Sequence, residues 1–317
     1  TGRNSEFIRS WYETNNLDII NNGGAIWNFY MMGGKGVKWY GNLDKVILWE
    51  NDGKVVKEFK GSVVRNERFF RRKGISWKRI TSSENTIRYL PENFIFDQSA
   101  DSLFPKSDGM FNYLLGIFNS KVISSLLEIF SATLNLTSGS VSDIPIVFSE
   151  KNKTKIDELV IDCISISKKN WDMHETSWDF KYSPLLANKS DGLIASAYES
   201  YKTQVNERFM KLKENEEELN RIFIEIYGLG DELTSDVLDK DITVAKIFDK
   251  KEEIHEEIKG NGYIMTREDV VKNFLSYFVG CLMGRYSLDS EGLVFAGGDF
   301  DPGKYISFKA DEDGILP

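Results

Sequence analysis

The chain has 317 residues, 40 Lys+Arg against 49 Asp+Glu, 41% hydrophobic and 13% aromatic residues, and a formal net charge of −9. That is the composition of a folded globular chain with room for two or three modules, and it excludes a disordered tail or a fibre. Two Cys (Cys163, Cys281) and two His (His174, His255), far apart in sequence, make neither a disulfide framework nor a Cys/His zinc site, so the cysteines read as small buried hydrophobes in a reducing, cytoplasmic setting.

In chain order, the start (Thr1-Gly-Arg-Asn-Ser) has no apolar signal core and no initiator Met, which reads as a piece of something longer. The front part is β-rich. Lys45-Val-Ile-Leu-Trp-Glu50 and Lys54-Val-Val-Lys-Glu-Phe59 flank the turn signal Asn51-Asp-Gly53 and predict a hairpin. Ile87-Arg-Tyr-Leu90 and Phe94-Ile-Phe96 predict short strands around Pro91-Glu-Asn93. From Met110 to Ile129 apolar residues recur at three- and four-residue steps, an amphipathic helix, and Val141 to Val147 with Pro145 returns to an extended segment.

The middle is helical. Ile156, Leu159, Val160, Cys163, Ile164 and Ser167 share one helical face. Tyr198, Tyr201, Val205, Phe209, Leu212, Leu219, Ile222 and Ile226 form a stripe over a long segment that stops at Gly228-Leu-Gly230, and residues 192–227 as one helix would run roughly 54 Å. The stretch 151–170 is its expected packing partner. Asp231 to Gly262 reads as an acidic linker with a short helix. Thr266-Arg-Glu-Asp269 is a capping-box pattern opening a helix with Val270, Val271, Phe274, Leu275, Phe278 and Leu282 on its apolar side, and the tail after Gly297-Gly298 reads as irregular. No window approaches the ~18 consecutive apolar residues of a membrane span, so no membrane partner is expected.

The charge is uneven. Residues 1–90 carry 16 Lys/Arg and 9 Asp/Glu, a net of +7, and the remainder carries −16. A basic front on an acidic chain suits a nucleic-acid reader, because counterion release needs a local patch and not a basic total. The sharpest patch is Arg65, Arg68, Arg71, Arg72, Lys73, Lys78 and Arg79, interleaved with Phe69, Phe70 and Trp77, and Lys35 and Lys38 beside Trp39 and Tyr40 have the same character. Arginines bind phosphate or fork onto guanine edges, and aromatics stack on displaced bases.

Other chemistry is weaker. Gly298-Asp-Phe-Asp-Pro-Gly303-Lys304 has phosphate-loop spacing but puts Tyr305 where Ser or Thr should hold magnesium, and Met32-Gly-Gly-Lys-Gly36 lacks the dinucleotide spacing and reads as a turn. Asp44 with Glu58-Phe-Lys60 has the residue types of a metal-dependent nuclease core, although a hairpin already explains them as outward-facing residues. No metal site is assigned. The six prolines include no adjacent pair, so the Asn/Asp-Pro-Pro-aromatic turn that holds an amino group for methylation is absent and no catalytic residue is assigned.

The run Arg72-Lys-Gly-Ile-Ser-Trp77, then Leu90-Pro-Glu-Asn-Phe-Ile-Phe-Asp97, Tyr113-Leu-Leu-Gly-Ile-Phe-Asn-Ser-Lys121, Leu134-Asn-Leu-Thr-Ser-Gly139 and Asp143-Ile-Pro-Ile146 resembles the target recognition domains of type I specificity subunits and fused restriction–modification enzymes. Further on, Ile166-Ser-Lys-Lys-Asn-Trp171, Glu175-Thr-Ser-Trp-Asp-Phe180, Leu219 to Leu229, Tyr277 to Asp289 and Gly292 to Gly298 are similar to the C-terminal half of the PglX family, adenine-specific DNA methyltransferases of BREX phage defence. The resemblance implies a parent that uses S-adenosylmethionine to methylate a flipped adenine, with catalysis and cofactor in a separate N-terminal methyltransferase domain of the same protein and none in this stretch. It implies structural roles for Trp77, Asn119, Asn135 and Pro145.

The expected architecture is α+β: a β-rich target recognition domain with packed helices at 1–148, a helical spacer at 149–230 and a mostly helical C-terminal domain at 231–317. The expected function is DNA sequence recognition on double-stranded DNA, with Lys35, Lys38, Arg65, Arg68, Arg71, Arg72, Lys73, Lys78 and Arg79 as DNA contacts. The alternatives are a protein-interaction module that docks other BREX components and, more weakly, the metal-dependent nuclease.

Overall fold

The computed structural model describes residues 4–14, 19, 25–79, 86–130, 136–296 and 300–311. Small sheets at the front and long helices behind them make an α+β fold. The first sheet has the order β1-β3-β2-β6, with β1 (Ile8–Ser10) and β2 (Trp27–Met31) antiparallel to β3 (Lys45–Leu48), and β6 (Ile95–Phe96) parallel to β2. The second is antiparallel throughout, with β4 (Gly74–Lys78) between β5 (Ile87–Leu90) and β7 (Ala100–Leu103). Tyr30 and Met31, consecutive on β2, point to opposite faces and both are buried, so the first sheet is covered on two sides.

The predicted hairpin at 45–59 does not form. Asn51, Asp52 and Gly53 all take left-handed backbone with φ of 50°, 58° and 70°, and the chain continues into a short helical element, α1 (Glu50–Glu58), and not into a second strand. These residue types tolerate left-handed backbone and do turn the chain, but Val55 is exposed and only Val56 is buried, so there is no apolar alternation for a strand to use. The strands 87–90 and 95–96 do form, but each joins a different sheet.

The predicted single helix at 110–129 is two, α2 (Phe111–Phe118) and α3 (Lys121–Phe130), separated at Asn119 and Ser120. The Asn119 side chain leaves the helix axis and serves strand β5: Oδ1 accepts from the Ile87 N–H at 3.3 Å, and Nδ2 donates to the Ile87 carbonyl at 2.9 Å. Val141 to Val147 is likewise not extended at its start, because a helical turn occupies Ser138–Ser142. After it, the Pro145 carbonyl accepts from the Tyr227 hydroxyl at 2.8 Å. Trp77 is buried and its Nε1 donates to the Leu136 carbonyl at 2.9 Å. Asn135 lies outside the described residues.

Behind the sheets run α4 (Glu150–Trp171) and α5 (Ile194–Tyr227), packed along one another. At about 1.5 Å per residue, the 34 residues of α5 span roughly 51 Å. Its stripe from Tyr198 to Ile222 is buried as predicted, and Gly228 ends it in left-handed backbone, φ 68°. Between α5 and the C-terminal helix, 231–262 holds no α-helix; it is loop and single 3₁₀ turns, with β8 (Lys246–Phe248) pairing in parallel with β9 (Ile264–Thr266).

Thr266 and Asp269 form the predicted capping box, opening α6 (Arg267–Leu282). The buried face of α6 is turned from the predicted one. Val270, Tyr277 and Cys281 are buried, while Val271, Leu275 and Phe278 stand exposed with Val279 and Met283. Tyr277 and Tyr286 stack at 5.0 Å, and Gly280 leaves room for that ring, because a Cβ there would lie 2.5 Å from the Tyr286 side chain. No helix among the described residues is long and apolar enough to cross a membrane.

What joins front to back is a buried carboxylate. On α5, Glu216 accepts from the Lys38 ammonium at 3.0 Å and from the Trp39 indole N–H at 2.8 Å, with all three residues buried. A second tie runs through Trp11, whose indole donates to the Thr176 carbonyl at 2.9 Å and whose ring meets Trp178 edge-on at 4.9 Å. Removing one partner of a buried ion pair strands the other, typically at about 3–5 kcal/mol. Glu216→Ala should therefore lower the urea-unfolding free energy by that amount, whereas Glu214→Ala, exposed two residues earlier, should change it by no more than about 0.5 kcal/mol.

Candidate nucleic-acid interface

The arginine stretch enters β4 as a loop held open by backbone geometry. Asn66 and Arg71 are both left-handed, with φ of 60° and 63°, a conformation that non-glycine residues keep only where their surroundings enforce it. Around Arg71 the enforcement is visible. Its N–H donates to the Phe94 carbonyl at 2.8 Å, its carbonyl accepts from the Asn93 N–H at 3.1 Å, and its guanidinium donates twice to Asn28 Oδ1 at 3.2 and 3.0 Å. Phe69 stacks on Phe104 at 4.9 Å, with Arg68 4.9 Å and Arg72 5.5 Å from the Phe69 ring.

Arg65, Arg68, Arg71 and Arg72 are all exposed. Among the described residues, no carboxylate comes within ion-pair distance of any of them. The loop's own acid, Glu67, is taken by Lys57 at 2.7 Å, and Lys57 also holds Asp52 at 2.7 Å. The loop thus presents four exposed guanidiniums, of which Arg71 is tied to Asn28, with no ion-pair partner among the described residues.

The remaining predicted contacts separate. Lys73 is half-buried with its ammonium 4.1 Å from the centre of the Phe111 ring. Lys78 is half-buried against Gly33, and Arg79 is half-buried, its backbone N–H bonded to the Ser99 carbonyl at 3.3 Å. Lys35 is exposed but engaged: its ammonium donates to the Gly262 carbonyl at 2.7 Å and lies 4.3 Å over the Tyr263 ring. Lys38 has to be corrected. It is 5% exposed and bound to Glu216, because the stripe of α5 passes beneath it, so it does not present its charge to a ligand.

The sequence reading missed Arg88. It is 1% exposed, with no carboxylate within ion-pair distance among the described residues; its guanidinium donates to the carbonyls of Gly33 (2.9 Å) and Met32 and touches the Met31 sulfur at 3.0 Å, and burial pushes its pKa down to about 10. Arg88 thereby pins the glycine segment 32–36 to β5. The only signal in the sequence was an arginine between apolar residues in a short strand pattern.

Next to the arginine loop lies a cleft of about 790 Å³. Five rings run along it in contact: Trp49 edge-on to Phe70 (5.7 Å), Phe70 to Phe96 (5.3 Å), Phe96 to Phe104 (5.6 Å) and Phe104 stacked on Phe69. Polar groups line the same space: Arg65, Asn66, Arg79, Asp97, Gln98 and Asp101, with Arg79 close enough to Asp101 to pull on its carboxyl. Burial pushes the Asp101 carboxyl above the usual range against the pull of Arg79, and burial with Asp97 beside it holds the Tyr30 hydroxyl protonated.

The other candidates dissolve into structure. Asp44 pairs with Lys45 at 2.9 Å, Glu58 is exposed at the end of α1, and among the described residues no group of three or more His, Cys, Asp or Glu is placed to hold a metal. In the phosphate-loop candidate, Gly298 lies outside the described residues, Pro302–Lys304 is a 3₁₀ turn capped by Asp301, and Tyr305 is buried with its hydroxyl on the Gly284 carbonyl at 2.5 Å. His174 is half-buried, its pKa lowered by burial and then by Lys35, and His255 is exposed. Cys163 and Cys281 are buried free thiols, both pushed up by burial.

No protein-family model matches the chain. Two curated proteins align along it: the adenine-specific methyltransferase PglX of Lacticaseibacillus casei (strain Zhang), 34% identical over 334 residues that cover 100% of this chain and 26% of that protein, and the adenine-specific methyltransferase BrxX of Escherichia coli O9:H4 (strain HS), 33% identical over 323 residues that cover 98% and 26%. The chain spans about a quarter of the length of the curated relatives it matches.

Arg88 gives a test of the glycine segment. Arg88→Met preserves volume but leaves the Met32 and Gly33 carbonyls without donors. At roughly 1–3 kcal/mol for an orphaned buried group, the variant should lose at least ~2 kcal/mol in urea unfolding and expose the 32–36 amides to faster hydrogen exchange.

Proposed function

We propose that this chain, homologous to one portion of the PglX and BrxX adenine-specific methyltransferases, is the part that grips duplex DNA and selects its target, while a separate domain of the same protein methylates a flipped adenine. The observation that carries this reading is the braced loop with four exposed arginines and no neighbouring carboxylate partner. A protein that methylates the amine of adenine must unstack the base, which requires a second surface to hold the duplex while the base leaves it. The exposed arginines would supply phosphate contacts, and Lys73, Lys78 and Arg79, half-buried behind them, would add to the field. Such a protein would belong to a BREX phage-defence system.

Methylation needs S-adenosylmethionine, and the residues here do not fit that group. The glycine segment that comes closest is already closed by the protein: the Gly33 N–H donates to Ser99 Oγ, the Lys35 carbonyl accepts from Asn42, and the Gly36 carbonyl accepts from the Tyr263 hydroxyl. No step through the cofactor is assigned to this chain.

The exposed apolar row on α6 favours a second role, docking of another component of the same defence system through 263–317. Salt separates the two. Fluorescence anisotropy on random duplexes should give binding that weakens with a log–log slope near −0.9 per neutralised phosphate. Substituting Arg65, Arg68 and Arg72 together by Ala should make that slope shallower by about 0.9 for each phosphate no longer neutralised, and should weaken affinity at low salt at least tenfold. Unchanged affinity and slope in the triple variant would overturn the reading and move docking to the front.

A further inference from the structure

The cleft beside the arginine loop offers rings as well as charge, which phosphate contacts alone do not use. Its wall is a contiguous row of five aromatic rings with half-buried faces at Phe69, Phe70, Phe96 and Phe104. Its polar lining is mixed, with guanidinium and amide donors at Arg65, Asn66 and Arg79 and carboxylates at Asp97, which holds Ser99, and at Asp101. A site for phosphate alone would not carry acids, and a site for an apolar ligand would not carry arginine. A planar heterocycle with donors and acceptors on its edge and a phosphate beside it uses all three features: stacking on the rings, edge hydrogen bonds to the mixed polar groups, phosphate to the rim arginine. The volume, about 790 Å³, lies within the roughly 300–1,000 Å³ of small-molecule sites and leaves room for sugar and phosphate.

We propose that this cleft receives a single unstacked nucleobase, stacked on the aromatic row with Arg65 and Arg79 among the polar groups that line it. The inference rests on the DNA-gripping reading: the arginine loop delivers the strand and the cleft takes a base that has left the stack. Arg72, 5.5 Å from the Phe69 ring at the end of the row and 5.8 Å from Phe104 beside it, connects the two surfaces.

The test uses a duplex with one unpaired 2-aminopurine nucleotide, the fully paired duplex of the same length, and free dAMP. The chain should bind the bulged duplex on the order of tenfold more tightly than the paired one and quench its 2-aminopurine emission by ring stacking. Ser102→Phe and, separately, Ser62→Phe place a ring into the cleft from a strand and from a loop. Each should abolish the preference and the quenching while leaving paired-duplex affinity and its salt slope intact; circular dichroism selects the variant that folds. Competition by dAMP would show the same site taking a free nucleotide, and quenching in the bulged duplex without such competition would restrict it to an extrahelical base. Both outcomes support the site. Salt-dependent duplex binding with no preference for the bulge, or a preference that survives both filled variants, would overturn this inference alone, whereas no duplex binding at any salt would overturn the gripping role beneath it.

Discussion

The arrangement of this molecule depends on one buried carboxylate. Glu216 sits about two-thirds of the way along a helix of roughly 51 Å, and its two oxygens are shared between an ammonium and an indole N–H from the front of the chain. A carboxylate without water must find donors, and both are delivered by adjacent residues. Trp39 takes left-handed backbone, φ 67°, which a bulky residue adopts only under constraint. The constraint is shared: its N–H donates to the Ile87 carbonyl at 3.0 Å and its carbonyl accepts from the Tyr89 N–H at 2.8 Å. Strained backbone, strand edge and buried charge thus fix one another, and the second sheet, with the arginine loop leading into it, is set at a definite place along the helix.

The cations of the front third sort by what surrounds them and not by their count. Lys38 and Arg88 lie inside and serve the fold, one through a carboxylate and the other through two carbonyls and a thioether sulfur. Lys57 neutralises two acids at the base of the loop, which leaves Arg65, Arg68, Arg71 and Arg72 exposed with no ion-pair partner among the described residues. A guanidinium suits each setting for the same reason, a planar fork that is weakly hydrated and stacks on rings.

Elements with long periodicity were legible in the sequence. The α5 stripe, its stop at Gly228 and the Thr266 capping box all formed, because many residues vote for one face or a cap needs only local geometry. The failures have local causes. Asn119 breaks a continuous apolar pattern because its amide is claimed by a strand 32 residues earlier, a contact that no helical period encodes. The turn at Asn51-Asp-Gly53 was legible as a turn, but what followed it was decided by packing on the sheet. The face of α6 differs from the expected one because apolar residues ring most of that helix, and the Tyr286 ring selects the Tyr277 and Cys281 side. Of the site, the exposed arginines stood out in the sequence by clustering. Lys38 and Arg88 had the same chemistry and could be told apart only by burial. Glu216 was hidden in the acidic run Glu214-Asn-Glu-Glu-Glu218, which reads as a solvated face.

The clasp on the glycine segment has a consequence for how the molecule is made. Lys35 donates to the Gly262 carbonyl and the Tyr263 hydroxyl donates to the Gly36 carbonyl, both pairs separated by 227 residues. A ribosome adding about 5–20 residues per second needs roughly 11–45 s to supply that interval. Over that time the nascent front sheet carries a glycine turn with the Gly36 carbonyl open and a lysine without its seat, and Glu216 itself arrives only late in the wait. The front third therefore completes its contacts last although it precedes the rest of this chain, and a pause or truncation before residue 263 leaves the basic front, and not only the tail, as the unfinished part.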